Sequence, residues 1–382
     1  MVETYGMLPT TSHSITGGMM AGTQFICTAC QATMPGNMDT LRCPCCMDPI
    51  DILQTSTNKN SKPRIAVDAD WINSVTLGEG STPTVRLNRV AESIGVTSLY
   101  AKLEYFNPTG SFKDRGSVVV IAAAKAAGFS EVVEDSSGNA GASISAYAAR
   151  AGMKAHIFVP SAAPEAKIRQ IQAYGAQLHP IEGTREHVTD AAISFQRSKR
   201  LAYASHVLSP YFIEGTKCFA YEIFHDDLNP FPDHIVIPVG NGSLLVGAWK
   251  GFTELSKGGQ IKSGPKIHAV QAKGIMPVVS EFLGKQEEIH GKSVAGGIAV
   301  GSPARKLQIV QALRATNGTA VAVSDDDIMA WRDSLSREEG IFAEPTSSAV
   351  LAGVKKLVSQ GTIKRDEVVS IPITGFGLKD PV

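Results

Sequence analysis

The chain has 382 residues, with 36 Lys plus Arg against 36 Asp plus Glu, so its formal net charge is zero. That balance excludes bulk electrostatic capture of nucleic acid or of an anionic membrane, and no apolar run approaches the roughly 20 residues of a bilayer span. The length supports a large core and more than one domain, and a 43% hydrophobic content fits a globular protein.

The first stretch, MVETYGMLPTTSHSITGGMM, lacks a basic region followed by an apolar core. No secretory signal is expected there, and a cytoplasmic location is. Five of the six cysteines fall between Cys27 and Cys46, a pattern foreign to a small secreted disulfide scaffold. Cys27-x-x-Cys30, twelve residues, then Cys43-x-x-Cys46 has the spacing of a zinc ribbon, in which four thiolates close a structural tetrahedral site. Cys45 is a spare thiol, and free thiols throughout are the alternative. No open ligand position points to catalytic zinc. The polar run QTSTNKNSKP then reads as a linker, which bounds an N-terminal segment at residues 1–62.

From about Arg64, short apolar runs alternate with helical periodicity. The predicted strands are SLYAKLE, EVVED, KAHIFVP, QLHPIE, HIVIPVG, KIHAVQA and EVVSIPI. The predicted helices include SVVVIAAAKAAG, ASISAYAARAG, EAKIRQIQAYG and SLLVGAWKGFTEL, with Gly128, Gly152 and Gly175 placed to end three of them. This alternation predicts an α/β protein with parallel sheets covered by helices. Ligands of such sheets bind beyond the carboxyl ends of the strands, so the strand-to-helix junctions are the candidate sites.

Four junctions stand out. In EYFNPTGSFKDRG, Ser111 and Asp114 have capping-box spacing and Lys113 falls in the first helical turn. The helix dipole and burial both disfavour an ammonium there, and a neutral amine is what Schiff-base chemistry requires. A solvated lysine at a helix start fits the same spacing. In EDSSGNAGAS, Ser136, Ser137, Gly138 and Asn139 bring small polar groups and amides to a helix start, an anion site or simply a cap. In PVGNGSLLVG, Gly240, Asn241, Gly242 and Ser243 resemble a phosphate cradle; the helical pattern that follows argues against a hairpin at Asn-Gly. In IPITGFGLKDP a strand leads into Thr374, Gly375 and Gly377, which favours a docked terminus over a frayed one. An amine, a carboxylate site, a phosphate cradle and a further polar contact make up the inventory that pyridoxal phosphate (PLP) needs.

The segments LGEGSTP, NPTGSFKDRG, SSGNAGAS, IPVGNGS, SREEGIFAEPTSSAVLAG and TGFGLKDP span roughly Thr76 to Pro381. In that order they resemble the fold-type II PLP enzymes of the tryptophan synthase β superfamily, and within it the threonine synthases. The resemblance implies two open, mostly parallel α/β domains with PLP between them. Residues 63–99 and 211–382 would form the large PLP-binding domain. Residues 100–210 would form a smaller mobile one that closes and excludes water. It implies that Lys113 forms the Schiff base and moves protons at substrate carbons. Asn139 would bond the ring hydroxyl, and Gly240, Asn241, Gly242 and Ser243, with the Leu244 N–H, would hold the PLP phosphate. Thr374 would meet the ring nitrogen, and Ser136, Ser137 and Gly138 would receive the substrate carboxylate. Some relatives carry a similar cysteine segment, so it need not signal nucleic-acid binding. The implied partners are a small amino-acid substrate and a second copy of the chain, with neither nucleic acid nor membrane.

Threonine synthase must hold the phosphate of O-phosphohomoserine, and here the resemblance departs. SHVLSPYFIEG has Phe212 where the family has an arginine; Ala140 replaces a threonine and Leu244 an asparagine. Lys167 matches a basic position, and His206, Ser209 and Tyr211 supply polar atoms nearby. Two enzyme readings follow. One is threonine synthase, with Lys167 and His206 on the phosphate. The other is β-elimination or β-replacement on a smaller hydroxy- or O-activated amino acid. A zinc-ribbon binding protein with an inactive enzyme domain is a third reading. A nucleotide-binding oxidoreductase is disfavoured by the missing glycine fingerprint.

Overall fold

The computed structural model describes residues 19–53, 65–163, 165–286 and 291–380. The expected linker at 54–63 lies outside the described residues. All seven predicted strands form, and they divide between two sheets. The larger has six strands in the order Ala320–Val323, Lys266–Ala272, His234–Pro238, Val368–Pro372, Ser98–Lys102, Thr84–Arg86. Every pair in it is parallel except the last, where Thr84–Arg86 runs antiparallel at the edge. The smaller sheet, Gln177–Ile181, Lys154–Pro160, Glu131–Glu134, Ala202–Tyr203, is parallel throughout. A third sheet is antiparallel, with Met19–Cys27 between Thr33–Asn37 and Ile50–Ile52, and holds the cysteine cluster.

The last strand does not lie at an edge. Val368–Pro372 inserts beside Ser98–Lys102, in register from Val368 opposite Ser98 to Pro372 opposite Lys102. The C-terminal junction is thereby laid against the lysine junction, although about 270 residues separate them. Thr84–Arg86, Ala202–Tyr203 and Ala320–Val323, each four residues or fewer, are strands that periodicity did not pick out.

The helix Asp114–Ala126 is buried on all sides from Asp114 to Ala124, so its Val and Ala residues show no polar face. Helix Pro210–Thr216 crosses it closely. A Cβ on Gly215 would collide with the Arg115 carbonyl, and one on Gly116 would lie 2.6 Å from the Phe212 ring. Behind the lysine loop, the buried Arg115 guanidinium pairs with Glu104 at 2.6 Å and Glu222 at 2.5 Å. Lys102 adds a bond to Glu222 at 2.9 Å. No helix among the described residues is long and apolar enough to cross a membrane.

Candidate active site

The four junctions follow the carboxyl ends of Ser98–Lys102, Glu131–Glu134, His234–Pro238 and Val368–Pro372. All four line one cavity of about 1290 Å³. The lysine loop is tied down from several directions. Asn107 accepts from the Gly80 N–H at 2.9 Å and donates to the Glu104 carbonyl at 2.7 Å. The Phe112 N–H donates to the Thr374 carbonyl at 3.0 Å, and the Phe376 N–H to the Gly110 carbonyl at 3.1 Å. Lys379 donates to Thr109 O at 2.5 Å and to Gln170 at 2.7 Å. The glycine-rich terminus is therefore docked, as the apolar strand ahead of it predicts.

The expected capping box does not form. Ser111 is held in an extended bridge to Gly375, two residues too early to cap, and its hydroxyl is buried without a partner. Asp114 turns instead to Thr109, accepting from its N–H at 2.7 Å and its hydroxyl at 2.6 Å, and to Ser143 at 2.5 Å. Lys113 stands at the cap position itself, ahead of the first helical turn. Its amine lies 4.7 Å from the Phe112 ring centre and 5.6 Å from that of Phe212. Burial lowers its pKa to about 8, against the attraction of Glu134 and Glu344.

Gly240, Asn241, Gly242, Ser243 and Leu244 form the opposite wall. Helix Ser243–Lys257 makes its first bond from the Val246 N–H to the Gly242 carbonyl at 2.9 Å, so the amides ahead of it are open to an anion. Gly242 has φ of 77°, and a Cβ on Gly240 would come within 2.6 Å of the Gly297 carbonyl. Both glycines are required by the turn. Ser136, Ser137 and Gly138 precede helix Asn139–Ala151 and line the same cavity.

Glu344, not singled out in the sequence, joins two expected cofactor contacts. The Asn139 amide donates to one of its carboxylate oxygens at 3.0 Å and the Thr374 hydroxyl to the other at 3.1 Å. Ser347 meets Thr374 at 2.9 Å. Burial raises the Glu344 pKa despite these donors. A carboxylate just before Pro345, the first residue of helix Pro345–Ser359, was the available signal.

The remaining wall carries ionisable groups. His206 lines the cavity, and its Nδ1 lies 2.6 Å from Glu134 Oε1. Asp135 is bound by Arg185 at 2.9 Å and Thr189 at 2.6 Å. Glu134 and Asp135 open the junction EDSSGNAGAS, and the fold sets Asp135 in the cavity lining and Glu134 on His206. Ala140 and Leu244 line the cavity, and Phe212 is fully buried beside it. Lys167 belongs to helix Glu165–Ala173, but its side chain lies outside the described residues. Arg42, on the cysteine segment, also reaches the cavity.

A family model described as pyridoxal-phosphate dependent enzyme matches residues 75–375. The chain belongs to this family. Threonine synthase from Methanocaldococcus jannaschii is 38% identical over 313 residues, 80% of this chain and 77% of that protein. The threonine synthase of Bacillus sp. (strain ULM1) is 41% identical over 308 residues, 80% and 85% of the two chains. That of Mycobacterium tuberculosis is 36% identical over 321 residues, 84% and 87%. The chain is thus a PLP-dependent lyase of threonine synthase type. The fold is shared with maize serine racemase at a TM-score of 0.69 and 22% identity, covering 82% of this chain and 94% of that one. Threonine deaminase isoform 2 of Solanum lycopersicum gives 0.69 and 20%, covering 88% and 94%.

The residues present fit PLP. The open amides of the 240–244 turn, the glycines that a Cβ would block and a buried amine of lowered pKa share one cavity with Asn139 and Thr374.

Proposed function

We propose that the chain makes threonine and phosphate from O-phosphohomoserine and water, using PLP held by Lys113. The supporting observation is the convergence of Lys113, Asn139, the 240–244 cradle and Thr374 on one cavity. In this reading Gly240, Asn241, Gly242, Ser243 and Leu244 hold the cofactor phosphate, while Asn139 and Thr374 hold its ring. Bound PLP supplies the electron sink for breaking a bond at the substrate α-carbon. The Lys113 amine, whose lowered pKa makes its neutral form more accessible than that of an ordinary lysine, takes the α-proton. Ser136, Ser137 and Gly138 orient the substrate carboxylate, and Lys167 and His206 meet its phosphate.

A second reading, β-elimination or β-replacement on a smaller hydroxy- or O-activated amino acid, draws on the same wall. Ala140, Leu244 and Phe212 offer a phosphate no side-chain hydrogen bond, and the buried carboxyls of Glu134 and Asp135 lie beside His206. Product analysis separates the two. Threonine formed from O-phosphohomoserine upholds the first. No threonine, with 2-oxo acid and ammonia from L-serine or L-threonine, replaces it with the second. Colourless protein that cannot be reconstituted with PLP defeats both.

The proposal extends to structural zinc at Cys27, Cys30, Cys43 and Cys46, whose sulfurs all lie within 4.8 Å of one another. It also includes closure of residues 100–210 over the substrate, a homodimer and a cytoplasmic location.

A further inference from the structure

We infer that Arg42, carried by the cysteine segment, is the guanidinium that grips the phosphate of O-phosphohomoserine, alongside His206. The inference rests on the threonine synthase reading and names a specificity residue of that same site. Arg42 lies outside the matched residues 75–375, so an element that the family model does not include completes the phosphate end of the cavity.

The distribution of charge in the cavity carries it. The described Lys and Arg residues that line it are Arg42, Lys113, Arg169, Arg185 and Lys379. Lys113 is reserved for the cofactor. Arg185 is committed to Asp135 at 2.9 Å, Arg169 to Glu165 at 3.3 Å, and Lys379 to the Thr109 carbonyl and Gln170. Arg42 gives one N–H to the Met47 carbonyl at 2.9 Å, and no carboxylate among the described residues pairs with it. The positive charge of buried Arg305 repels it. A half-buried guanidinium with unused donors, a like charge nearby and a cavity to face is placed to take an anion. Its mount is firm. Arg42 bridges Pro49, the Cys43 N–H donates to the Asp48 carbonyl at 2.8 Å, and the Met47 N–H to the Cys43 carbonyl at 2.9 Å. Leu41 packs against the cluster of Val133, Phe158, Val188, Ala192 and Tyr203. Arg305 ties the Ile50 carbonyl and Asp51 of the cysteine sheet to the Val207 and Leu208 carbonyls, next to His206. One buried side chain therefore sets the sheet of Arg42 and the loop of His206 against each other.

The chemistry matches. A phosphate monoester carries a charge of about −1.5 to −2 near neutral pH and three acceptor oxygens. A planar guanidinium bonds two of those oxygens at once, which a lysine cannot do. The proposed site gives the substrate carboxylate to residues 136–138 and the cofactor phosphate to the 240–244 turn. The substrate phosphate is left with the wall of His206, Val207 and Leu208, which Arg42 also lines. Its charge is present in the bound substrate and stays on it as it departs. The contact is therefore made from binding onward, and its loss shows chiefly in KM. The exposed carboxylates of Glu186 and Asp190 line the same cavity and are the competing partners for Arg42, in a role that only holds the cleft together.

The test uses the holoenzyme and three readings: threonine formation from O-phosphohomoserine, inhibition by inorganic phosphate, and binding of L-threonine, the product without phosphate, followed by PLP absorbance. For Arg42→Gln, KM and the inhibition constant of inorganic phosphate are each expected to rise about 10- to 100-fold, the usual contribution of hydrogen bonds to a charged group. The Kd of L-threonine should stay within about threefold, since it makes no phosphate contact to lose. Arg42→Lys, which keeps the charge without the fork, should fall between wild type and Arg42→Gln. Unchanged KM and phosphate inhibition in Arg42→Gln overturn the inference while the threonine synthase reading stands. Equal weakening of phosphate and L-threonine also overturns it, and makes Arg42 a brace on Glu186 or Asp190. If Arg42→Gln does not fold, Arg42→Lys decides in the same way: weaker phosphate binding alone supports the inference, and equal weakening or none overturns it. Wild-type protein that makes no threonine removes the substrate reading and the role of Arg42 with it.

Discussion

Taking the Lys113 ammonium out of water outweighs the attraction of Glu134 and Glu344, and this brings its pKa to about 8. A lysine at its ordinary value of about 10.4 offers little neutral amine near neutral pH. With the lowered value the neutral fraction climbs through pH 8 and then saturates. PLP uptake by cofactor-free protein, followed by absorbance, is therefore expected to accelerate up to about pH 8 to 9 and then level off. A rate still climbing beyond pH 10 contradicts the assignment. Lys113→Ala should lose both the fixed cofactor band and turnover, and unchanged turnover rules out the role. The sequence made Lys113 a candidate only because NPTGSFKDRG stands with three other contiguous junction motifs, which together match what PLP needs. Glu344 was not legible, because it lies 205 residues from Asn139, and a carboxylate ahead of a helix-opening proline does not say which remote groups it meets.

Among the elements, the loop from Ser205 to Ser209 depends on a side chain about 100 residues away. Arg305 bonds Asp51 at 3.0 Å and the Ile50 carbonyl at 3.0 Å, as well as the Val207 and Leu208 carbonyls. It thus couples the antiparallel sheet with the cysteines to the loop that carries His206. Removing one partner of a buried ion pair costs about 3–5 kcal/mol. Arg305→Met is expected to lower the thermal midpoint and raise KM while the PLP band remains. An unchanged midpoint means that Lys250, 3.3 Å from Asp51, suffices. The long helices and strands around this loop were legible from their periodicity. The strand Ala202–Tyr203 was not, since two residues carry no period.

For the whole molecule, the sheet carrying the cysteines is more than an appendage. Phe25 packs edge-on against Tyr211 with ring centres 5.7 Å apart, next to Phe212, and Arg42 reaches the cavity. Zinc bound by the four thiolates would stabilise this sheet, since metal affinity adds to folding free energy. Protein purified without chelator should carry about one zinc per chain, and chelation should lower the thermal midpoint before the PLP band is lost. A metal content near zero defeats the zinc assignment. Substrate affinity unaffected by chelation shows that the sheet holds its place without metal.

By itself the sequence determined what is written locally along the chain. That includes the α/β alternation, the cysteine spacing, and the glycine and lysine junctions that specify the cofactor. Each depends on residues a few positions apart, where periodicity and turn chemistry act. Only the tertiary structure decided what depends on long-range contact: the last strand set beside Ser98–Lys102, the shared carboxylate of Glu344, and the Glu134–His206 pair across 72 residues. Such contacts arise when chain crossings bring remote groups into one buried space, where loss of water gives them their chemistry.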